Sequence, residues 1–399
     1  MRSPTAHESA SEHRALSICA RVVLEPPERE QLESLLRTGL DFAALMGAAR
    51  YHGLSPLLCR HLHEVARDHC PPELLRRLRA ATQDSVVASL ALAAELVELL
   101  AALRAHGVPA LAIKGPVSAA LCYGDLGLRT FSDLDLLIEP GHVSAASELL
   151  AARDYAPRLP LSPAWLERLV RTDSEQLYGH ADGRRLVDLH WSLMPRGYSF
   201  TPGGDGLFAR RQHVRIGGAQ VPTLAVEPTL LFLLLHGMKH DWESLGWLCD
   251  VSELLRRQRD LDWDAVLAWS APRGPRRFVD IGLALAHEQL GAPVPAAVLQ
   301  RGQRDPVVNQ TVAEIRARLL AARAGRAPSL RDRSVGLLYF RAMQRSGDRA
   351  RFLHDVVFRP TPLEWRAVSL PPRLAALHYL VRPVRLIWKH TRRRRAAPR

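Results

Sequence analysis

The most constraining part of the chain is residues 109–140, PALAIKGPVSAALCYGDLGLRTFSDLDLLIEP. It joins a buried-strand pattern, a Lys-Gly turn, a short helical pattern and two spaced carboxylates. Residues 111–113 are apolar, Lys114-Gly115-Pro116 breaks the run, and residues 117–123 carry apolar side chains at near-helical spacing. This predicts strand, turn and helix in succession. After a turn in which Gly124 and Gly127 flank Asp125, residues 133–138 read Asp-Leu-Asp-Leu-Leu-Ile, a strand entering a core. Strand side chains alternate, so Asp133 and Asp135 share one face.

Two carboxylates held side by side raise each other's pKa unless a cation lies between them. A divalent metal is the natural cation, and hard oxygen ligands favour Mg²⁺, with Mn²⁺ as a substitute. A D-x-D pair alone says little, since a chain this long shows about one by chance. Asp260-Leu261-Asp262-Trp263-Asp264 is denser still, yet it precedes Ala-Val-Leu-Ala-Trp and reads as a helix N-cap with an acidic first turn. What would distinguish the first pair is a third carboxylate. Asp188 is the candidate, in the alternating strand 185–191 that follows an Asp182-Gly183 turn. Leu186, Asp188 and His190 fall on one face of that strand. The competing reading of Asp188 is an exposed or edge position.

Around this centre the pattern is helical. Residues 1–14 are polar and expected to be disordered. An N-terminal helical region is expected over 15–107, with residues 90–104 as a strong Ala/Leu helix. A core over 108–226 ends in a hairpin at Val-Arg-Ile-Gly-Gly-Ala-Gln-Val-Pro, with a loop before it at 201–206. A helical domain follows over 227–325, and a basic helical segment and tail over 326–399, with a basic linker at 323–333. His236 and His240 share a helix face by their spacing, with Lys239 beside them. Cys59, His61, His63, His69 and Cys70 match no familiar zinc spacing and read as ordinary helix-surface residues.

The excess of 54 Lys+Arg over 41 Asp+Glu, a net charge of +13, suits an anionic partner such as a nucleotide. Most of the base is Arg, which a GC-rich coding sequence also produces. Five scattered cysteines without a C-x-x-C argue against a disulfide framework and fit a reducing cytosol. No signal peptide is legible. Residues 230–235 are too short to span a bilayer, and Glu95 and Glu98 interrupt 91–103. A soluble, cytoplasmic protein is the expectation.

Three separated motifs then occur in order: Lys114-Gly115 with Tyr123-Gly124-Asp125, Arg129 and the D-x-D strand; Val187-Asp188-Leu189-His190-Trp191; and Leu234-Leu235-His236-Gly237-Met238-Lys239-His240 with Asp250. Together they resemble an uncharacterised nucleotidyltransferase family of the DNA polymerase beta-like superfamily. His52-Gly53-Leu54 with Pro56-Leu57-Leu58, and the final segment with Leu370-Pro371 and Arg382-Pro383-Val384-Arg385-Leu386, are similar to it too. The resemblance implies an α+β fold, a small mixed sheet flanked by helical regions. It implies Asp133, Asp135 and Asp188 as catalytic metal ligands, with Asp133 and Asp135 holding two metals and Asp188 helping to hold the one that activates the acceptor. Lys114, Gly115 and Arg129 would meet the phosphates of an NTP such as ATP, with the Arg129 guanidinium suited to bidentate contact. His236, Lys239 and His240 would project toward the nucleotide or acceptor. The chain departs from the superfamily at Pro116, which removes a backbone N–H that could meet a phosphate.

The expected activity is transfer of a nucleoside monophosphate to a hydroxyl of a small molecule or peptide, with release of pyrophosphate. The alternatives are a nucleotide-binding protein without turnover and an RNA-modifying transferase.

Overall fold

The computed structural model describes residues 6–65, 67–194, 204–270, 275–321 and 337–395, apart from 369 and 371. Seven strands form one mixed sheet: β1 Ala110–Ala112, β2 Leu134–Ile138, β3 Tyr155–Pro157, β4 Glu175–His180, β5 Leu186–His190, β6 Arg211–Ile216 and β7 Ala219–Leu224. Their order is β3-β4-β5-β2-β1-β7-β6. The pairs β2/β5 and β1/β7 are parallel and the others antiparallel. The α+β expectation therefore holds, with helices on either side of the sheet in sequence.

β2 is buried along its whole length, which explains why its end reads as an unbroken apolar run. Its parallel partner β5 can be reached only by a crossover, and the helix Val143–Ala151 lies within it. That helix and Leu92, Leu96, Leu99 and Leu103 of the helix Pro72–Ala105 pack on one face with Leu134, Leu136, Val187 and Leu189. The opposite face carries Leu111, Ile113 and Leu137, covered by Phe232 of the helix Val226–Lys239. The carboxylates lie on this second face.

The helices before and after the sheet share one core. Leu16, Leu57 and Leu58 from the N-terminal region join Leu248, Val251 and Phe278 from beyond it. Side chains from the regions expected over 15–107 and 227–325 are thus packed against one another.

Several expectations change. The first helix begins at Ala6, inside the segment expected to be disordered. Glu12 accepts a hydrogen bond from the Asp41 amide at 2.9 Å, and Ala15, Leu16 and Cys19 are fully buried, so tertiary contacts order a polar stretch. The Ala/Leu helix is longer than 90–104, running unbroken from Pro72 to Ala105. By length and composition it alone among the described residues could cross a membrane; here its apolar side packs on the sheet. His61 is buried, with Nε2 at 2.7 Å from the Arg21 carbonyl, rather than on a helix surface. The expected loop at 201–206 meets a short helix, Gly204–Ala209. The basic linker at 323–333 and the extreme tail lie outside the described residues.

Other details follow the sequence closely. Asp262 Oδ1 accepts the Ala265 amide at 2.9 Å, so the denser acidic cluster is a helix cap. The β6/β7 hairpin turns through Gly217 and Gly218, at φ 56° and 83°, the positive-φ pair that tight hairpins require.

Candidate functional site

The Lys-Gly turn fixes the edge of the site. Gly115 adopts φ 61° and ψ −120°, a region open essentially to glycine. A Cβ there would stand 3.2 Å from the Asp133 carbonyl, so the turn also lies tightly against the residue preceding β2. Residues 116–118 form a short helical turn and 119–123 a π-helical one, in place of a regular helix over 117–123.

The third carboxylate is brought in by register. On the parallel strands Asp135 pairs directly with Asp188. On the antiparallel neighbour, Glu175 of β4 pairs with His190 of β5. The result is a chain of alternating charge across the sheet. Lys114 Nζ lies 2.9 Å from Asp135 Oδ1, which lies 3.2 Å from His190 Nε2. His190 Nδ1 lies 3.2 Å from Glu175, which lies 3.3 Å from Lys239 Nζ. Asp188 joins through His190 Nε2 at 3.5 Å.

The electrostatics follow from burial and these partners. Burial opposes ionisation of Asp135, but Lys114 and His190 outweigh it and hold the carboxyl at about 2. Burial likewise disfavours the Lys114 ammonium, which Asp135 nonetheless keeps above the ordinary lysine range. His190 is raised to about 10, the pull of Asp188, Asp135 and Glu175 overcoming desolvation. Asp188 is pushed up to about 6, first by burial, with Glu175 and Asp135 adding to it against His190. Asp133 is raised by burial and by Asp135. His236 is kept neutral by burial and by nearby Lys114.

Lys114, Asp133, Asp135, Asp188, His236, Lys239 and His240 all line one cavity of about 230 Å³, together with Glu175 and His190. Leu193, Met194 and Phe232 supply its apolar wall. Of the nine residues singled out in the sequence, Gly115 shapes the rim and Arg129 lies elsewhere. The Arg129 guanidinium makes two 2.8 Å hydrogen bonds to the Asp250 carboxylate, which also accepts the Tyr123 hydroxyl at 2.8 Å. This buried pair borders an adjacent cavity of about 330 Å³ with Tyr51 and Trp247. The wall between the two is aromatic, His236 and His240 lying 5.5 and 5.2 Å from Trp247 by ring centroids.

Among the described residues, Asp135, Asp188 and His190 form the one group of ligand atoms close enough to hold a metal ion, all within 4.8 Å of one another. Asp133 lies outside this group but lines the same cavity. Asp135 Oδ2 and Asp188 Oδ1 are both buried without a hydrogen-bond partner. Two orphaned carboxylate oxygens on adjacent strands suit a hard cation. Asp188, Asp135 and Glu175 favour the protonated form of His190, which would have to lose that proton to ligate a metal. Glu175 and His190 were the members the sequence reading missed. The Asp-Leu-His alternation in β5 was visible, but Glu175 becomes a partner only through the β4/β5 register.

A larger cavity of about 560 Å³, lined by Arg21, Arg256, Arg257 and Arg259, lies away from these carboxylates. Arg21 and Arg256 are engaged there with Glu28 and Glu253 and with the Leu290 carbonyl.

Residues 38–291 match the family described as "Uncharacterised nucleotidyltransferase". The chain belongs to this nucleotidyltransferase family. The match contains the whole sheet, the cavities of about 230 and 330 Å³ and the helix Leu245–Arg257, and ends before the final segment at 370–386. No curated protein and no solved structure matches the chain.

Proposed function

We propose that the protein is a divalent-metal-dependent nucleotidyltransferase that moves a nucleoside monophosphate from an NTP to a hydroxyl of a small molecule or peptide. The observation that carries this reading is the pair of buried, unpartnered oxygens on Asp135 and Asp188, inside a cavity that also holds Lys114 and Lys239. The cavity sets three cations, Lys114, His190 and Lys239, against four carboxylates, Asp133, Asp135, Glu175 and Asp188. A triphosphate entering such a site needs added positive charge. Mg²⁺ or Mn²⁺ on Asp135 and Asp188, with Asp133 at the rim, would supply it, lowering the pKa of the acceptor hydroxyl and neutralising the departing pyrophosphate.

In this reading the acceptor oxygen attacks the α-phosphorus, the bond to the bridging oxygen breaks and pyrophosphate leaves. Lys114 and Lys239 act as point charges on phosphate oxygens. Neutral His236 positions by hydrogen bonding, and Leu193, Met194 and Phe232 exclude water from one side. Arg129, committed to Asp250, supports the site rather than meeting phosphate. The five cysteines, all buried and free, fit a cytosolic setting.

One observation favours a second reading, a nucleotide-binding protein without turnover. Lys114 and His190 already neutralise Asp135 from two sides. Incubation with α-labelled NTPs, Mg²⁺ and host extract separates the two. Transfer lost in Asp135→Ala and Asp188→Ala supports catalysis. Mg-NTP binding without pyrophosphate release supports the second reading, and label transfer unchanged by both substitutions would overturn the proposed site.

A further inference from the structure

The helix His378–Arg395 is docked with its polar side inward. Arg382 and Arg385 both reach the buried Glu364 carboxylate, Arg382 also donates to the Val356 carbonyl at 2.9 Å, and His378 is fully buried. Leu380, Val384, Ile387 and Trp388 are 70, 67, 65 and 53% exposed. At about 100° per residue these four fall within a single stripe, roughly opposite Arg382 and Arg385. A surface helix of a globular protein normally buries the apolar stripe and shows its charges. Here the arrangement is reversed, and the adjacent helix Ser346–Val357 also exposes Leu353, Val356 and Val357.

Charge points to what covers the stripe. Beyond Arg382 and Arg385, which Glu364 holds, the helix sequence supplies Lys389 and Arg392 to Arg395 and no acidic residue. A second copy would bring the same cations against these. A nucleic acid would satisfy the cations and leave the leucine, valine and isoleucine side chains in water. An anionic bilayer satisfies both, because its interface accepts an apolar stripe a few ångströms deep while its headgroups attract basic residues. Trp388 lies at the border of the stripe, where the amphipathic indole prefers the headgroup level.

We infer that the helix His378–Arg395 seats the protein on an anionic lipid surface, through Leu380, Val384, Ile387 and Trp388. The inference is independent of the chemistry in the cavity. Flotation of the full chain with vesicles of phosphatidylcholine, alone or mixed with phosphatidylglycerol, tests it. Wild type should float with the mixed vesicles at least about tenfold more than with the neutral ones, with binding weakened by salt. Leu380→Glu/Ile387→Glu should bring flotation to background with an unchanged melting temperature, and Leu380→Ser/Ile387→Ser should do so without added negative charge. Three results would overturn the inference. They are no flotation of wild type, flotation unchanged in both double variants, and a wild-type dimer made monomeric by the variants without any vesicle binding.

Discussion

Asp135 and Asp188 are direct register partners on two parallel strands, and each keeps one buried carboxylate oxygen without a hydrogen-bond donor. A buried acceptor with no partner costs about 1–3 kcal/mol. Asp241 Oδ1 and Asp348 Oδ2 are orphaned too, but among the described residues only Asp135 and Asp188 bring two such carboxylate oxygens to adjacent positions of one cavity. A divalent cation would remove both deficits at once. Asp135→Asn and Asp188→Asn should each lower nucleotidyl transfer by on the order of 10³. Mn²⁺ binding followed by electron paramagnetic resonance should be lost in parallel, and tight Mn²⁺ binding by the double variant would place the metal elsewhere.

Lys114 neutralises the carboxylate that a metal on Asp135 would also neutralise. Lys114→Met leaves Asp135 short of one buried partner, a change that costs about 3–5 kcal/mol in comparable pairs. Melting in EDTA should therefore fall by roughly 5 °C or more. Mg²⁺ should raise the melting temperature of Lys114→Met more than that of wild type. An equal Mg²⁺ response in the two proteins would show that the cation does not reach Asp135.

Arg129 and Asp250 hold together parts of the chain far apart in sequence. Arg129→Met should destabilise by about 3–5 kcal/mol in urea unfolding, since it strands a buried carboxylate. Arg129→Met/Asp250→Leu should recover a large part of that loss, because the two costs are not additive. If the double variant is as unstable as the sum of the singles, the pair is not the source of the stability.

His52 gives a pH dependence remote from the carboxylates. Burial, with a smaller contribution from His13, lowers it from 6.5 to about 4, and its Nδ1 accepts the Leu245 amide at 3.2 Å. The folded pKa is depressed, so the unfolded chain binds the proton more readily. The stability is complete above pH 6.5 and is lost as pH falls toward 4, by roughly 3 kcal/mol in all. His52→Asn keeps an acceptor without the titration. The difference between wild-type and His52→Asn unfolding free energies should slope across that window and be flat above it, as read from denaturant curves at several pH values.

Much of the site could be read from residue order because its strands are short and strongly patterned. The D-x-D strand, the Asp188 strand and the β6/β7 hairpin are local signals, set by alternation and by turn residues. What escaped depends on pairing across the chain. Glu175 acquires meaning only opposite His190, and Arg129 looked available for phosphate because its partner Asp250 is 121 residues away. The helix from Ala6 escaped for a similar reason, since its order comes from Asp41 and from helices packed on it rather than from its own polar composition. The full length of Pro72–Ala105 was hidden by an exposed, charged first half that carries little apolar periodicity.

The ladder Lys239–Glu175–His190–Asp135–Lys114 has a consequence for the sequence of events at the site. The two ammonium groups best placed for phosphate are stored against carboxylates, so a nucleotide arriving alone meets cations already engaged. A metal on Asp135 would compete with Lys114 and with His190, and so would release the Lys114 ammonium for a phosphate. On this reading loading is ordered: the inorganic ion first, the nucleotide second. Titration of an NTP into EDTA-treated protein should then give little heat, and prior addition of Mg²⁺ or Mn²⁺ should restore it.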